Sequence, residues 1–200
     1  MRILGIDPGT TVMGFGVLRY QGISQAELVD LGCVQFKDCK THYEKLRKVF
    51  DIICTLIERY QPDELAIESP FFGKNVQSML KLGRAQGVAI AAVLSATPDT
   101  PIAEYAPTRI KQAITGRGQA SKEQVATMIN SILGTDYHPR KLDATDGMAV
   151  ALCHWFTTSN VLTQATSGER RKGLGGDSKS RKGSSSWESF VKSNPERVKK

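Results

Sequence analysis

Several patterns that identify other classes of protein are missing from this chain. No uninterrupted apolar run approaches the roughly 18 residues of a transmembrane helix. The apolar run after Arg2 is broken at Asp7 and is too short for a secretory signal peptide. No internal repeat is evident, and an apolar content of 40% in 200 residues is typical of one globular core. We therefore expect a single folded domain in the cytoplasm.

Cysteine and histidine are scarce and are poorly spaced for metal or disulfide chemistry. The four cysteines include no C-x-x-C pair, and none of the three histidines has metal-ligand spacing with another. Such cysteines are typical of free thiols in a reducing compartment. The sequence therefore predicts neither a disulfide framework nor a zinc site, and it favours a cytoplasmic location.

Positive charge is concentrated at one end of the chain. Residues 163–200 contain ten Lys or Arg and four Asp or Glu, which accounts for +6 of the net charge of +7. This segment is rich in glycine and serine, and its few apolar residues cannot offset the entropy lost on ordering. We predict a folded domain over residues 1–158 and a basic, disordered tail over 159–200. Such a tail could bind polyanions or could act only as a solubilising segment.

Alternating and helical patterns predict three strands followed by alternating helices and strands. Short turns join the first three strands, which favours antiparallel pairing, and the fully apolar fourth strand is typical of a central parallel one. The order βββαβαβα resembles that of the ribonuclease H-like fold, an α/β mixed five-stranded sheet flanked by helices. The predicted strands are 2–7, 12–20, 28–36, 64–68 and 102–105, and the predicted helices are 43–60, 75–96, 107–114, 121–133 and 142–156.

Four carboxylates occupy positions where ordinary packing does not explain them. Asp7 and Glu68 each close an apolar strand, and Asp143 and Asp146 are three residues apart at the start of an apolar helix. Either aspartate alone could simply stabilise the helix N-terminus. Adjacent strands would bring Asp7 and Glu68 together, however, and like charges in contact need a cation between them. The four acids together therefore predict a Mg²⁺ site and metal-assisted phosphoryl chemistry.

A set of short motifs over residues 1–157 resembles the RuvC family of Holliday-junction resolvases. The matching segments are Gly5-Ile6-Asp7-Pro8-Gly9-Thr10, Ala66-Ile67-Glu68, Lys74-Asn75, the glycine-rich segment 80–89, Glu104-Tyr105-Ala106-Pro107, Ile110-Lys111-Gln112, Gly116-x-Gly118-x-Ala120-x-Lys122 and Asp143-Ala144-x-Asp146. Two departures stand out. Ser69-Pro70 follows the glutamate, and Thr145 with Gly147 flanks Asp146, where glycine should weaken the helix start.

The resemblance implies a function and a partner for many of these residues. Asp7, Glu68, Asp143 and Asp146 would be a catalytic quartet that binds two Mg²⁺ ions, with Mn²⁺ as a possible substitute. Lys111 and Lys122 match basic residues near the scissile phosphate. The family acts as a homodimer that nicks two opposed strands of a four-way junction symmetrically, in homologous recombination and DNA repair, leaving 5′-phosphate and 3′-hydroxyl ends. A RuvA–RuvB branch-migration complex is the implied partner.

Further residues are candidates for contact with junction DNA. Phe71 and Phe72 follow the Glu68 strand, and an exposed aromatic ring there could stack on an unpaired base, worth roughly 1–3 kcal/mol. Phe71 matches the family's junction-wedging aromatic by position, although either ring could instead cover the sheet edge or a dimer seam. Small residues along helix 75–96 would suit a dimer interface or ordinary sheet packing. The predicted phosphate contacts are Lys74, Lys81, Arg84 and Arg117.

Three other functions are compatible with parts of the pattern. A ribonuclease H that cuts RNA–DNA hybrids would share the acidic residues. An actin- or Hsp70-like ATPase would share the segment Gly5–Thr11, but it would need a second domain and a second phosphate loop. A non-catalytic DNA-binding relative would be expected to lack at least one of the four acids. Retention of all four favours catalysis.

Overall fold

The computed structural model of the chain describes residues 1–22, 25–70, 75–137 and 142–170. Phe71, Phe72 and Lys74 therefore lie outside the described residues. The strands are β1 (Arg2–Asp7), β2 (Val12–Gln21), β3 (Gln25–Gln35), β4 (Glu64–Glu68) and β5 (Ile102–Tyr105). The helices are α1 (His42–Tyr60), α2 (Val76–Ala96), α3 (Pro107–Thr115), α4 (Lys122–Leu133) and α5 (Asp143–Arg170).

The five strands form one mixed sheet in the order β3-β2-β1-β4-β5. β1 pairs antiparallel with β2, and β2 pairs antiparallel with β3. β4 lies parallel to β1 on one side and to β5 on the other. The mixed five-stranded sheet and its central parallel strand are thus confirmed.

Helices cover both faces of the sheet, because successive residues of each strand point to opposite sides. Leu4 and Ile6 of β1 and Leu65 of β4 pack in a core with α1 and α2. Ile3 of β1 and Ala66 of β4 pack in a second core with α3, α4 and α5. By this alternation Asp7 lies on the α5 face, as Ile3 does, and Glu68 lies on that face with Ala66.

The structure differs from the predicted elements by more than one residue at two places, the start of β3 and the end of α5. β3 begins at Gln25 and not at Leu28, because the hairpin extends the ladder to the pair Gln21 and Gln25. α5 ends at Arg170 and not near Phe156, so residues 159–170 of the predicted tail are helical. The compact unit built from Met1 extends to Ala165. Residues 171–200 lie outside the described residues, and their disorder stays a prediction.

Helix α2 is half exposed although it is strongly apolar. Within the described residues it alone is long and apolar enough to cross a membrane, judged by length and composition. That is weak evidence for a membrane span, since Ala85, Ala89, Ala92 and Val93 are buried against the sheet and α1. The other face of α2 carries exposed apolar residues, and packing against the sheet does not account for them.

Candidate active site

Strand register places Asp7 and Glu68 next to each other. Ile6 and Ile67 are partners in the parallel ladder of β1 and β4, and each strand ends one residue later at a carboxylate. Burial, followed by the charge of Asp146, raises the pKa of Asp7 to about 6, against the opposing charge of Lys122. Burial and then the charges of Asp7 and Asp146 raise the pKa of Glu68 to about 8. Both carboxylates therefore resist ionisation when no cation is bound.

Glycines in β1 and β2 let the start of α5 lie directly on the sheet. A Cβ atom added to Gly14 would be 2.3 Å from the carbonyl oxygen of Asp143. One added to Gly16 would be 2.5 Å from Cα of Met148, and one added to Gly5 would be 2.2 Å from the carbonyl oxygen of Gly147. This backbone-to-backbone contact, which we call the glycine seam (Gly5, Gly14, Gly16 and Gly147), brings Asp143 and Asp146 to the edge that holds Asp7.

The two unusual residues beside Asp146 have packing roles. Gly147 lies against β2, where an added Cβ would be 2.4 Å from Cα of Phe15. Thr145 is buried, and its hydroxyl donates a 2.6 Å hydrogen bond to the carbonyl oxygen of Leu142. The predicted weakness at the helix start is therefore offset by close packing and by a local hydrogen bond.

Lys122 occupies the space beside the α5 carboxylates. Its Nζ donates to Asp146 Oδ2 at 2.5 Å and to Asp143 Oδ1 at 3.1 Å. Burial lowers the pKa of Lys122, but the hydrogen bonds and charges of Asp146 and Asp143 outweigh it and raise the pKa overall. A capping box of Ser121 and Gln124 precedes Lys122, the first residue of α4. The cap thereby fixes where the ammonium group enters the site.

One cavity of about 250 Å³ joins the acidic and basic groups. Asp7, Glu68, Asp146, Lys111 and Lys122 all line it. Lys111 lies in α3, which begins at Pro107 directly after β5. Asp143 is not among the lining residues but is held to the same site through Lys122. A second cavity of about 530 Å³ shares Asp7 and Glu68 and continues along Ser69, Pro70 and the first turns of α2.

The carboxylates offer the oxygen ligands that a hard divalent cation prefers. As the side chains stand, the described part of the chain contains no cluster of three or more Asp, Glu, His or Cys that could hold a metal ion. Instead, the Lys122 ammonium bridges Asp143 and Asp146. The raised pKa values of Asp7 and Glu68 show that their carboxyl groups are buried beside like charges, which a bound cation would stabilise in the ionised form. The residues therefore fit a metal site, although the side chains are not arranged around one ion.

The other predicted DNA contacts lie apart from this edge. Arg117 follows the left-handed Gly116 and lines a separate cavity between α3 and α4. Lys81 and Arg84 are exposed on α2, and their charges lower the pKa of His42 in the first turn of α1. Sequence analysis missed this part of α1, because a histidine and a lysine in a helix carry no spacing signal of their own.

Sequence analysis also missed a buried polar network at the opposite end of β4. Glu64 accepts hydrogen bonds from Tyr20 Oη at 2.6 Å and from His154 Nε2 at 2.5 Å. His154 Nδ1 in turn lies 2.7 Å from Tyr105 Oη. The network connects β2, β4 and β5 to α5. Strand alternation offered one signal that Glu64 contacts a residue of α5. Glu64 and Glu68 are four residues apart in one strand, so both side chains face the same side of the sheet.

A ribonuclease H-like sheet with acidic residues on β1, β4 and α5 defines a class, the metal-dependent nucleases of that fold. Comparison with known proteins narrows the class. The family model described as crossover junction endodeoxyribonuclease RuvC matches residues 3–154. The chain belongs to this family and is an endodeoxyribonuclease that resolves Holliday junctions in DNA recombination and repair.

Relatives match almost the whole chain. The RuvC of Bacteroides fragilis is 51% identical over 199 residues, which cover 98% of this chain and 95% of that protein. The RuvC of Cytophaga hutchinsonii is 50% identical over 98% of this chain and 88% of its own. A solved structure of Thermus thermophilus RuvC in complex with Holliday junction substrate has a TM-score of 0.72 and 32% identity, and covers 80% of this chain and 96% of that one. These similarities confirm the family resemblance and the fold inferred from the sequence.

Proposed function

We propose that the chain cuts two opposed strands of a four-way DNA junction by paired, symmetric nicks that leave 5′-phosphate and 3′-hydroxyl ends. The observation that carries the proposal is the meeting of three carboxylates and two lysines around one cavity. Thermus thermophilus RuvC has been solved in complex with a Holliday junction as its substrate, and that complex supports the substrate class.

The proposed reaction assigns a role to each group at the cavity. Asp7, Glu68, Asp143 and Asp146 would hold two Mg²⁺ ions, replaceable by Mn²⁺, which would supply an activated water and stabilise the leaving 3′-oxygen. Lys111 lines the cavity without an ion pair in the described part of the chain, so its charge is available to a phosphate. Lys122 has half of its side chain exposed and can exchange a carboxylate for a phosphate oxygen.

Contacts outside the cavity would select the junction. Ser69 and Pro70 line the larger cavity, so the chain enters the segment 71–74 beside the carboxylates. From that position Phe71 or Phe72 could stack on an unpaired base, and Lys74 could contact a phosphate. Lys81, Arg84 and Arg117 would bind backbone phosphates farther from the cut.

Two cuts require two active sites, and the free face of α2 suits a homodimer. Val76, Leu80 and Leu94 are 59%, 54% and 42% exposed on this helix. Gly83 and Gly87 face open space, so another helix could approach closely there. Exposed apolar stripes of this kind mark interfaces, and two-fold symmetry would present one site to each of two equivalent strands. The RuvA–RuvB branch-migration complex is the proposed partner, in the cytoplasm.

The deciding experiment compares three substrates, each with Mg²⁺ or with EDTA. These are a synthetic four-way junction, a linear duplex of matched sequence and an RNA–DNA hybrid. Paired symmetric nicks that occur only in the junction, and only with metal, are expected. Cleavage of the hybrid with the junction left intact would overturn the proposal in favour of a ribonuclease H activity.

The dimer has its own test. Leu80→Glu places a charge in the exposed apolar face of α2, and light scattering should then report a monomer. Met128→Glu is the matched control, because Met128 is 40% exposed on α4, away from that face. A dimeric Leu80→Glu variant would refute the α2 interface while leaving the nuclease assignment intact.

A further inference from the structure

Four side chains that can bind an anion lie on α1 and α2, two helices that pack against each other. His42 and Lys45 lie in the first turn of α1, and Lys81 and Arg84 lie on α2. Burial and then the charges of Arg84, Lys81 and Lys45 lower the pKa of His42. The charges of three cations therefore act on one imidazole ring. We call these residues the α1–α2 basic cluster.

No carboxylate forms an ion pair with the cluster in the described part of the chain. Lys45, Lys81 and Arg84 form no ion pair there, and Lys45 Nζ instead donates to the carbonyl oxygen of Thr10 at 3.0 Å. The nearby carboxylate of Glu44 is already engaged in the helix cap, where it accepts from Lys40 N at 2.8 Å and from Thr41 Oγ1 at 3.1 Å. Like charges that lack an ion-pair partner repel one another, and a bound anion would relieve that repulsion.

An unpartnered buried atom in the cluster also favours binding of an anion. Nε2 of His42 is buried, and among the described residues it alone is a buried side-chain nitrogen or oxygen without a hydrogen-bond partner. A buried polar atom left unpaired costs roughly 1–3 kcal/mol, so native proteins rarely leave one without a ligand or water. A ligand with acceptor oxygens and negative charge would satisfy both the ring and the three cations.

The position of the cluster identifies the anion as part of the substrate. Thr10, which binds Lys45, belongs to the turn that follows Asp7. The larger cavity runs from Asp7 and Glu68 to Ser78 and Leu82 of α2. Lys81 and Arg84 follow Ser78 at three-residue steps, and residues spaced in this way lie along one side of a helix. A DNA strand that leaves the carboxylates along α2 would therefore pass the cluster.

We infer that His42, Lys45, Lys81 and Arg84 form a second phosphate-binding site that holds the backbone of one junction arm away from the scissile phosphate. The inference rests on the proposed junction activity and adds α1 to the DNA-binding surface. Phosphate contacts of this kind set the register of a duplex without reading its sequence. The N-terminus of α1 adds partial positive charge at the same place.

The test measures junction binding by the full chain in EDTA, which prevents cleavage, over a range of salt concentrations. Each phosphate contact contributes about 0.9 to the slope of log affinity against log salt. Lys45→Ala, Lys81→Ala and Arg84→Ala should each lower that slope by about one and weaken binding roughly fivefold at physiological salt. Arg47→Ala is the matched control, because Arg47 is an exposed cation on α1 that pairs with Asp51 at 3.8 Å. Its slope should equal that of the wild type.

A neutral methylphosphonate placed at successive arm positions locates the bound phosphate. At one position the neutral linkage should weaken wild-type binding and leave the Lys81→Ala/Arg84→Ala double variant unaffected. His42→Gln should lower affinity with unchanged thermal stability, and the ring nitrogen resonances of wild-type His42 should shift when the junction is added.

The possible failures are distinguishable. If the wild type does not bind the junction, this inference and the proposed function both fall. If the wild type binds and cuts it but the cluster variants have the slope of Arg47→Ala, only this inference falls. Inorganic phosphate could shift the His42 resonances while, at every arm position, a methylphosphonate weakens binding of the double variant as much as binding of the wild type. In that case the cluster binds a small anion, and the DNA assignment is overturned.

Discussion

Replacing Gly14 by alanine should separate the four carboxylates proposed to be catalytic without altering any of them. Gly14 is the partner of Asp7 in the β1–β2 ladder, and a Cβ atom there would lie 2.3 Å from the carbonyl oxygen of Asp143. Even close contacts between carbon and carbonyl oxygen span about 3.3–3.6 Å. The start of α5 must therefore move away from the sheet by about 1 Å, because both partners in the clash are backbone.

The two consequences of this shift have very different sizes. Overpacking of a core costs typically ~1–3 kcal/mol, which for a domain of this size lowers the melting temperature by roughly 2–12 °C. A displacement of about 1 Å in a catalytic group can lower the rate about 100-fold. A protein destabilised by that amount remains mostly folded, since natural stabilities are about 5–15 kcal/mol. The loss of rate should thus greatly exceed any loss of folded protein.

Single-turnover cleavage of a four-way junction at saturating protein and metal measures the effect on the rate, and thermal unfolding measures stability. Gly32→Ala is the control, because its Cβ would meet the far end of the Phe15 ring at 2.8 Å, a side chain that can move. It should lower stability and leave cleavage within a fewfold of the wild type. Wild-type cleavage by a folded Gly14→Ala variant would refute the idea that the glycine seam positions Asp143 and Asp146.

Three further results are expected. Asp7→Asn should abolish cleavage and preserve junction binding, and metal-dependent cleavage by that variant would contradict its role as a ligand. Lys122→Ala should slow cleavage yet tighten the binding of Mn²⁺, because the Lys122 ammonium competes with the metal for Asp143 and Asp146. Calorimetry without DNA measures the Mn²⁺ affinity. Unchanged or weaker Mn²⁺ binding would show that the ammonium does not compete. In EDTA, stability should fall as pH rises from about 4.5 to 8. The folded-state pKa of Glu68 is raised to about 8, so the folded form binds protons that the unfolded form has released. Glu68→Gln should flatten this part of the melting profile, and an equally steep Glu68→Gln profile would assign the dependence to other groups.

Strand patterning was enough to predict the acidic edge from the sequence. Asp7 and Glu68 end apolar runs of matched character, and residues at the ends of adjacent parallel strands must lie at the same edge of the sheet. The i, i+3 spacing of Asp143 and Asp146 likewise requires one helix face. What these patterns could not provide is the distance between the strands and α5. That distance depends on glycines in β1 and β2, whose role becomes visible only when the helix lies on them.

The long-range polar contacts were beyond the reach of sequence patterns for a different reason. Glu64 binds His154 across 90 positions in the chain, and the charge of Arg84 acts on His42 across 42, so no local periodicity relates either pair. Burial gives the pair of Glu64 and His154 its significance, because the same residues on a solvated surface would be unremarkable. Phe71 and Phe72 are the opposite case, because the sequence pattern singles them out as candidates for DNA contact but they lie outside the described residues.

Helix α5 is fixed to the sheet at two points, and the proposed active site depends on both. At its start, the glycine seam sets how closely the backbone of Asp143 approaches β2. Two turns beyond Asp146, His154 binds Glu64 and Tyr105, which sets how far the helix can slide along the sheet. A carboxylate buried this deeply is costly to leave unpaired, so His154 and Glu64 strongly favour one position of the helix. The seam therefore controls the height of the α5 carboxylates above the sheet, and the buried network controls their position along it.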